Sequence, residues 1–435
     1  MRTNLSLSHL YRRFLLPGAA IFATGVALLA QESVPVDKPG PLAPALQSLV
    51  DRQVIAGAVV LVADEDKVLD LEAAGYSSLA TKAPMKTDAL FWIASMTKSI
   101  TGTALMMLVD EGKLSLDDPV EKYLPEFKGQ MVREENAAPH PPQHPITIRE
   151  VMDHTSGLVK PNDPALKRAW SLKENVAQFA ALPLLREPGT KFEYNNSGIN
   201  TGARVIEVIA GMPYAEFIQQ RLFTPLEMKE TTFWPNEELG KRLASTVKAT
   251  ADKSGLEDIN LGQTITPALI ERLGHGAVVP APMLANFGLS PLADYANHFA
   301  EAAGGLYSTA GDVGRFCQML LKGGTWQGKR YLSVEALKQM TAVQTGEVMV
   351  NPQEGYGVGW FVKKRDDEGP AVGSFGHRGA RKTVMWVDPK NRLVTVLMVQ
   401  CWDIGGEQQK ELYQTVLKGA VEKFGRPQGG EAAAK

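Results

Sequence analysis

Ser95 and Lys98 stand three residues apart, directly after the apolar run Leu90-Phe91-Trp92-Ile93-Ala94 and at the head of a helix-like stretch. On a helix that spacing puts a hydroxyl and an ammonium group on one face, one turn apart. A serine attacks only when a neighbouring base accepts its proton, so this pair is the smallest set for an activated nucleophile. A second copy, Ser245-Thr246-Val247-Lys248, lies in an irregular, charged region, and at most one of the two can be a catalytic centre. Context favours the first. Ile100, Ala104, Met107 and Leu108 recur at the spacing of a buried helix that ends near Gly112. A serine at a helix N-terminus also sits among free backbone N–H groups, which favour developing negative charge. Taken alone, the same residues read equally as a helix cap followed by a solvated lysine.

Two further groups carry chemistry. Tyr194-Asn195-Asn196 follows Pro188-Gly189 and an extended Phe192-Glu193. Phenol and ammonium groups ordinarily titrate at ~10 and ~10.4. Side by side, the lysine cation favours tyrosinate and burial favours neutral lysine, so either can be drawn toward neutrality. By residue type alone, Tyr194 is equally a half-buried loop tyrosine and Asn196 a helix cap. His377-Arg378-Gly379 lies between Gly376 and Ala380 on an expected strand. A glycine there lets a substrate lie against the strand edge, and the next backbone N–H can complete an oxyanion hole. Losing one such donor typically raises the barrier by about 3–4 kcal/mol. On its own, His377 is a turn-facing structural histidine. Arg378 or Arg381 is available to a substrate carboxylate, and strand alternation places only one of them on the active face.

These residues need elements to hold them. A helix over Pro44 to Gln53 precedes two apolar runs, Ala58 to Ala63 and Val68 to Ala73, which Asp64-Glu65-Asp66-Lys67 joins as a hairpin. Near the other end, Tyr356 to Val362, Ser374 to Gly379, Thr383 to Val387 and Leu393 to Gln400 read as successive strands, followed by a helix from about Glu407 to Phe424. Strands at both ends around a mainly helical middle imply one sheet built from both termini, with a second, helical lobe between. In that middle, Thr147-Ile148-Arg149-Glu150 fits a capping box, and Ser197 to Ala210 reads as a helix stopped by Gly211. Ser308 and Thr309 open another helix before Asp312, and His154-Thr155-Ser156-Gly157 reads as a structural turn. Residues 235–300 show no clear period and read as an insertion or lid. His140 and His144 are four apart, but Pro141, Pro142 and Pro145 rule out a regular helix presenting both to zinc.

In this order the chain resembles the serine β-lactamase and penicillin-binding superfamily, most of all class C β-lactamases and the family VIII type carboxylesterases that share their fold. The resemblance rests on Phe91 to Lys98, Asp117-Asp118-Pro119-Val120, Ile146 to Glu150 and His154-Thr155-Ser156-Gly157-Leu158. It continues through Tyr194-Asn195-Asn196, Gly304-Gly305-Leu306-Tyr307-Ser308-Thr309, Gly355 to Trp360 and Gly376 to Gly379. It implies an α/β (α+β) fold with a mostly antiparallel sheet flanked by helices and a helical lobe. It also implies an acyl-enzyme on Ser95, with Lys98 and Tyr194 handling the proton. The N–H groups of Ser95 and Ala380 would form the oxyanion hole, and Asn196, His377 and Gly379 would position substrate. The departure is at the third motif, where related lactamases and peptidases have Lys-Thr-Gly and this chain has His377-Arg378-Gly379. That lysine helps to hold the carboxylate of penicillin-like substrates, so the resemblance favours an esterase-like hydrolase over a β-lactamase or D-amino-acid peptidase. A scaffold that only binds peptidoglycan fragments or a protein partner is the reading from another class, and the retention of all three motifs argues against it.

Composition is that of an ordinary globular protein: 435 residues, 44% hydrophobic, 22% charged, net charge −2. The largest basic cluster, Arg378, Arg381 and Lys382, is too small to hold a nucleic-acid duplex. Arg2, Arg12 and Arg13 precede an apolar segment from Phe14 to Ala30, the order of a secretory signal. The expected organisation is therefore a signal peptide over 1–30, a linker over 31–44, a hydrolase domain over 45–425 and a flexible tail over 426–435. The mature protein would be periplasmic or secreted, with no membrane span remaining. Cys317 and Cys401 are expected as buried free thiols. No cofactor or metal is implied, and the partner is a small-molecule ester, amide or peptide substrate.

Overall fold

Strands from the two ends of the chain meet in one eight-stranded sheet. A computed structural model describes residues 40–133, 138–167, 169–252, 254–259, 299–366, 368–402 and 404–426. Across the sheet the strands run Glu354–Tyr356, Phe361–Lys363, Phe375–Arg378, Val384–Asp388, Leu393–Met398, Gly57–Ala63, Val68–Ser78 and Ala83–Pro84. Every neighbouring pair is antiparallel. The central seam joins Gly57–Ala63 to Leu393–Met398, with Val59 opposite Met398 and Ala63 opposite Val394. This is the mixed fold with a mostly antiparallel sheet that the sequence implies.

Both faces of the sheet are covered, which is why its central strands read as unbroken apolar runs and not as alternation. Val59, Leu61 and Ala63 on one face share a core with Val313, Phe316 and Leu320 of the Ala310–Leu321 helix. Ala58, Val60 and Val62 on the other face pack with Leu46 and Leu49 of the Ala43–Asp51 helix and with Leu412, Val416 and Ala420 of the Gly406–Phe424 helix. The first of these cores extends without a break into the helical middle, through Ile100, Leu105, Val151, Ile199 and Ile206.

Two strand expectations need correction. The run Tyr356 to Val362 is a hairpin: Glu354–Tyr356 pairs back on Phe361–Lys363 through a turn at Gly357–Trp360, with Gly359 at φ +78°. The turn exists because the Thr97–Asp110 helix presses on it. A Cβ on Gly102 would lie 2.1 Å from the Val358 carbonyl oxygen, and Ser99 Oγ donates to the Gly359 carbonyl at 2.8 Å. The strand expected to reach Gly379 ends at Arg378. Gly379 then opens a tight turn, its N–H donating to Thr383 O at 2.8 Å, and Lys382 adopts φ +70°.

The remaining elements fall close to their expected places. The capping box at Thr147–Glu150 starts the Ile148–Met152 helix. Asn196–Ala210 ends on Gly211 in the left-handed conformation, φ +67°. Thr309 caps Ala310–Leu321 by accepting the Asp312 N–H. Cys317 and Cys401 are buried, unbridged thiols. The expected signal segment, the greater part of the linker and of the lid (residues 260–298), and residues 427–435 of the expected tail lie outside the described residues.

Candidate active site

Ala94 has φ +46°, a left-handed backbone that a non-glycine residue adopts only when its surroundings hold it there. Thr97 supplies the hold: its hydroxyl donates to the Ala94 carbonyl at 2.6 Å and accepts the Leu306 N–H at 3.2 Å. Ser95 therefore projects from a single turn of 3-10 helix, Ala94–Met96, that runs straight into the Thr97–Asp110 helix. The neighbouring strand, Phe91–Trp92, pairs antiparallel with Tyr307–Ser308, and Trp92 Nε1 donates to the Gly304 carbonyl at 2.7 Å. This pairing draws residues 301–306 beneath the serine.

Lys98 is fully buried. Its Nζ lies 3.0 Å from Ser95 Oγ, donates to the Ala303 carbonyl at 2.6 Å, and sits 4.7 Å from the centre of the Tyr194 ring. Burial pulls its pKa down to about 7, against the opposing pull of Glu301. Tyr194 is 39% exposed as a residue, but its hydroxyl points inward and shares a hydrogen bond with Ser95. Burial raises the phenol pKa, the bond to Ser95 lowers it, and the Glu301 charge raises it further. Of the two ways the pair could be tuned, the surroundings favour neutral lysine beside protonated tyrosine.

The tyrosine rests on an aromatic floor. The His154 ring lies 4.5 Å from Tyr194 and 4.7 Å from Tyr356, centre to centre, and its Nδ1 accepts the Asn195 N–H at 3.1 Å. His377 Nε2 is 3.1 Å from Tyr356 Oη, and this residue is only 1% exposed. Burial, then the Lys98 charge, pushes both histidines well below their ordinary pKa, so they are neutral. The helix cap that residue types alone allow for Asn196 belongs to Asn195, whose side chain accepts the Ser197 N–H at 2.9 Å and donates to Leu158 O and Val159 O. That leaves Asn196 free to point into the site, where its Nδ2 donates to Glu301 Oε1 at 3.4 Å.

Gly379 abuts the serine turn so closely that a Cβ would lie 2.5 Å from the Ile93 carbonyl oxygen. Ala380 follows at the exposed tip, and among the described residues neither its N–H nor that of Ser95 meets an acceptor. The two arginines have other partners. Arg378 forms an ion pair with Glu354 and lies over Phe361 and Trp386. Arg381 is 5% exposed, between Trp92 and Trp402. The second Ser-x-x-Lys is not on a helix. Val247–Ala249 is a short strand paired with Leu256–Asp258, and Lys248 reaches Glu257 at 3.3 Å.

Sequence reasoning alone does not bring His154, Tyr356 or Glu301 into this cluster. His154 was placed in a structural turn, which is where it lies (φ +69°), but its ring is also the support beneath Tyr194. Glu301 belongs to none of the motifs, although a lone carboxylate in Phe299-Ala300-Glu301-Ala302-Ala303 is a signal for a buried charge. Among the described residues no group of three or more His, Cys, Asp or Glu is placed to hold a metal ion, and no helix is long and apolar enough to cross a membrane.

With this geometry in view, comparison with known proteins fixes the class. The pattern of the Beta-lactamase family matches residues 42–419. The chain belongs to that family and is a serine hydrolase of the β-lactamase fold. An uncharacterized protein of Mycobacterium tuberculosis (strain CDC 1551 / Oshkosh) is 29% identical over 393 residues, 82% of this chain and 89% of that one. Esterase EstB of Burkholderia gladioli is 32% identical over 201 residues, 43% of this chain and 49% of the esterase. Among solved structures, EstCE1, "a hydrolase with promiscuous acyltransferase activity", superposes with a TM-score of 0.68 at 23% identity, over 88% of this chain and 97% of its own. Esterases and a penicillin-binding protein both occur among the relatives.

Proposed function

We propose that the protein hydrolyses esters of small or medium acyl groups through an acyl-enzyme on Ser95. The observation that carries this reading is the 3.0 Å approach of a fully buried lysine amine to the Ser95 hydroxyl. Lys98, neutral through burial, takes the Ser95 proton as the oxygen bonds to the substrate carbonyl carbon. The backbone N–H groups of Ser95 and Ala380 receive the negative charge that forms on the carbonyl oxygen. Tyr194 passes a proton to the departing alcohol oxygen and recovers one from Lys98. Water then cleaves the acyl-enzyme by the same route in reverse. Asn196 and the Gly379 edge position the acyl group. His377, enclosed beside Tyr356, acts through the aromatic floor beneath Tyr194 and holds the phenol in place.

Ester chemistry is favoured over β-lactam or D-amino-acid peptide hydrolysis because the third motif lacks its lysine and the two arginines near it are paired or enclosed. Lysine is absent at His377, Arg378 is paired with Glu354, and Arg381 is enclosed by two tryptophans. The basic and apolar N-terminal segment supports export, which sequencing the N-terminus of the mature protein checks.

The test is turnover of p-nitrophenyl esters beside a chromogenic cephalosporin, together with fluorophosphonate labelling mapped by mass. Ester turnover, a stoichiometric adduct on Ser95, and a loss of at least ~10³-fold in Ser95→Ala are expected. Equal ester turnover in wild type and Ser95→Ala sinks the assignment. Absence of an adduct in folded protein supports a binding scaffold instead.

A further inference from the structure

Glu301 is 6% exposed, and nothing so far explains why a carboxyl group is buried there. Three observations tie it to the asparagine and the strap that flank the catalytic lysine. Its Oε1 accepts a hydrogen bond from Asn196 Nδ2 at 3.4 Å. Its own carbonyl accepts the N–H groups of Gly304 at 3.2 Å and Gly305 at 2.8 Å, curling the chain so that the Ala303 carbonyl meets Lys98 Nζ at 2.6 Å. The same strap is fastened to the helix that carries Lys98, because Thr101 Oγ1 donates to Ala302 O at 2.7 Å. We propose that Glu301, held beside the strap that grips Lys98, is a positioning residue of the reaction assigned above to Ser95: its buried carboxylate stabilises the ammonium formed when the serine proton reaches Lys98.

The need for such a group follows from burial. An amine enclosed without a counter-charge is a weak base, because its ammonium form has lost water and gained nothing in return. The other groups that face Lys98 cannot compensate. Ser95 and Tyr194 present hydroxyls, Ala303 a neutral carbonyl that accepts from the amine at 2.6 Å, and His154 and His377 are neutral rings. Among the described groups around the amine, Glu301 is the carboxyl that can supply a negative charge, and it raises the Lys98 pKa against burial. Burial raises the pKa of the Glu301 carboxyl, and Lys98, then the Asn196 hydrogen bond, draw it back toward the carboxylate form. The proton balance is closed: the Ser95 O–H bond breaks, an N–H bond forms on Lys98, and Glu301 gains no proton in the step.

A structural role alone, holding the 301–305 strap, would survive replacement by glutamine, which keeps the shape and can still meet Asn196. The pH dependence of single-turnover fluorophosphonate labelling of Ser95 separates the two roles. In Glu301→Gln the midpoint of the acid limb should move down by ~1 pH unit, since Lys98 loses its proton more readily. The plateau should fall about tenfold, since the amine is then the weaker base. Unchanged labelling in a variant of wild-type melting temperature overturns the proposal. If the glutamine variant does not fold, Glu301→Asp takes its place, with the charge drawn back by one methylene. A smaller downward shift supports the proposal and an unmoved midpoint overturns it. Wild-type protein that folds but is never labelled refutes the Ser95 assignment itself, whereas normal labelling with an unshifted limb refutes only the role of Glu301.

Discussion

A serine attacks a carbonyl only when its proton has somewhere to go at the working pH, so the charge state of Lys98 should govern the rate. Burial brings that amine to about 7 and leaves Tyr194 protonated. In the proposed reaction the active form has neutral lysine. Below pH 7 the amine gains a proton and activity is lost; above it the free base accumulates and activity is retained. The kcat/KM for an ester should therefore rise through a midpoint near 7 to a plateau that persists until protein or substrate titrates. A profile already flat between pH 5 and 9 would show that Lys98 is not the group that takes the proton. The Ser95–Lys98 pair was legible because helical spacing and an apolar context are local properties of a sequence. Tyr194 is a candidate by residue type, and its role follows from motif resemblance and not from spacing, because it reaches Ser95 from a loop nearly a hundred residues away. Glu301 was not legible as part of the site, because its meaning lies in partners that only tertiary structure supplies.

Among the elements, the position of the serine helix depends on how closely neighbouring chains approach it. Gly102 touches the Val358 carbonyl, and a Cβ on Gly359 would in turn lie 2.5 Å from the carbonyl oxygen of Lys98. The hairpin, which the sequence alone presents as a single strand, is thus a clamp on the back of the catalytic helix. Gly357 and Gly359 were the local signs of a break, but apolar Val358 and Trp360 between them disguised the turn as a strand. An alanine at an ordinary helical position gains about 1 kcal/mol over glycine. At position 102 the overlap with Val358 O outweighs that gain, and Gly102→Ala should destabilise the protein by ~1–3 kcal/mol. Because the displaced turn bears on Lys98 itself, kcat of the folded variant should also fall, with KM little changed. A stabilised or fully active Gly102→Ala variant would show that the clamp yields without disturbing the site.

For the whole molecule, the fold was legible where apolar runs and turn residues alternate, at both termini, and least legible in the middle, where contacts between distant segments set the geometry. The sheet closes only when Gly57–Ala63 pairs with Leu393–Met398, so its assembly requires both ends of the chain. Its two faces then have different tasks. The inner face is continuous with the core that carries Ile93, Met96 and Ile100 around the serine, whereas the outer face is sealed by the Ala43–Asp51 and Gly406–Phe424 helices. Stability and catalysis should accordingly separate across the sheet. Val416 on the Gly406–Phe424 helix is fully buried against the outer face. Val416→Ala removes two methyl groups and leaves a small void, a loss of about 2 kcal/mol. For a protein of this size that corresponds to a fall in Tm of only ~2 °C, so chemical denaturation with the midpoint shift at constant m is the better measurement. The rate per active site, with sites counted by fluorophosphonate titration, should not change. A proportional fall in that rate would mean that the outer layer helps to set the geometry at Ser95, and that the sheet transmits strain between its faces instead of separating them.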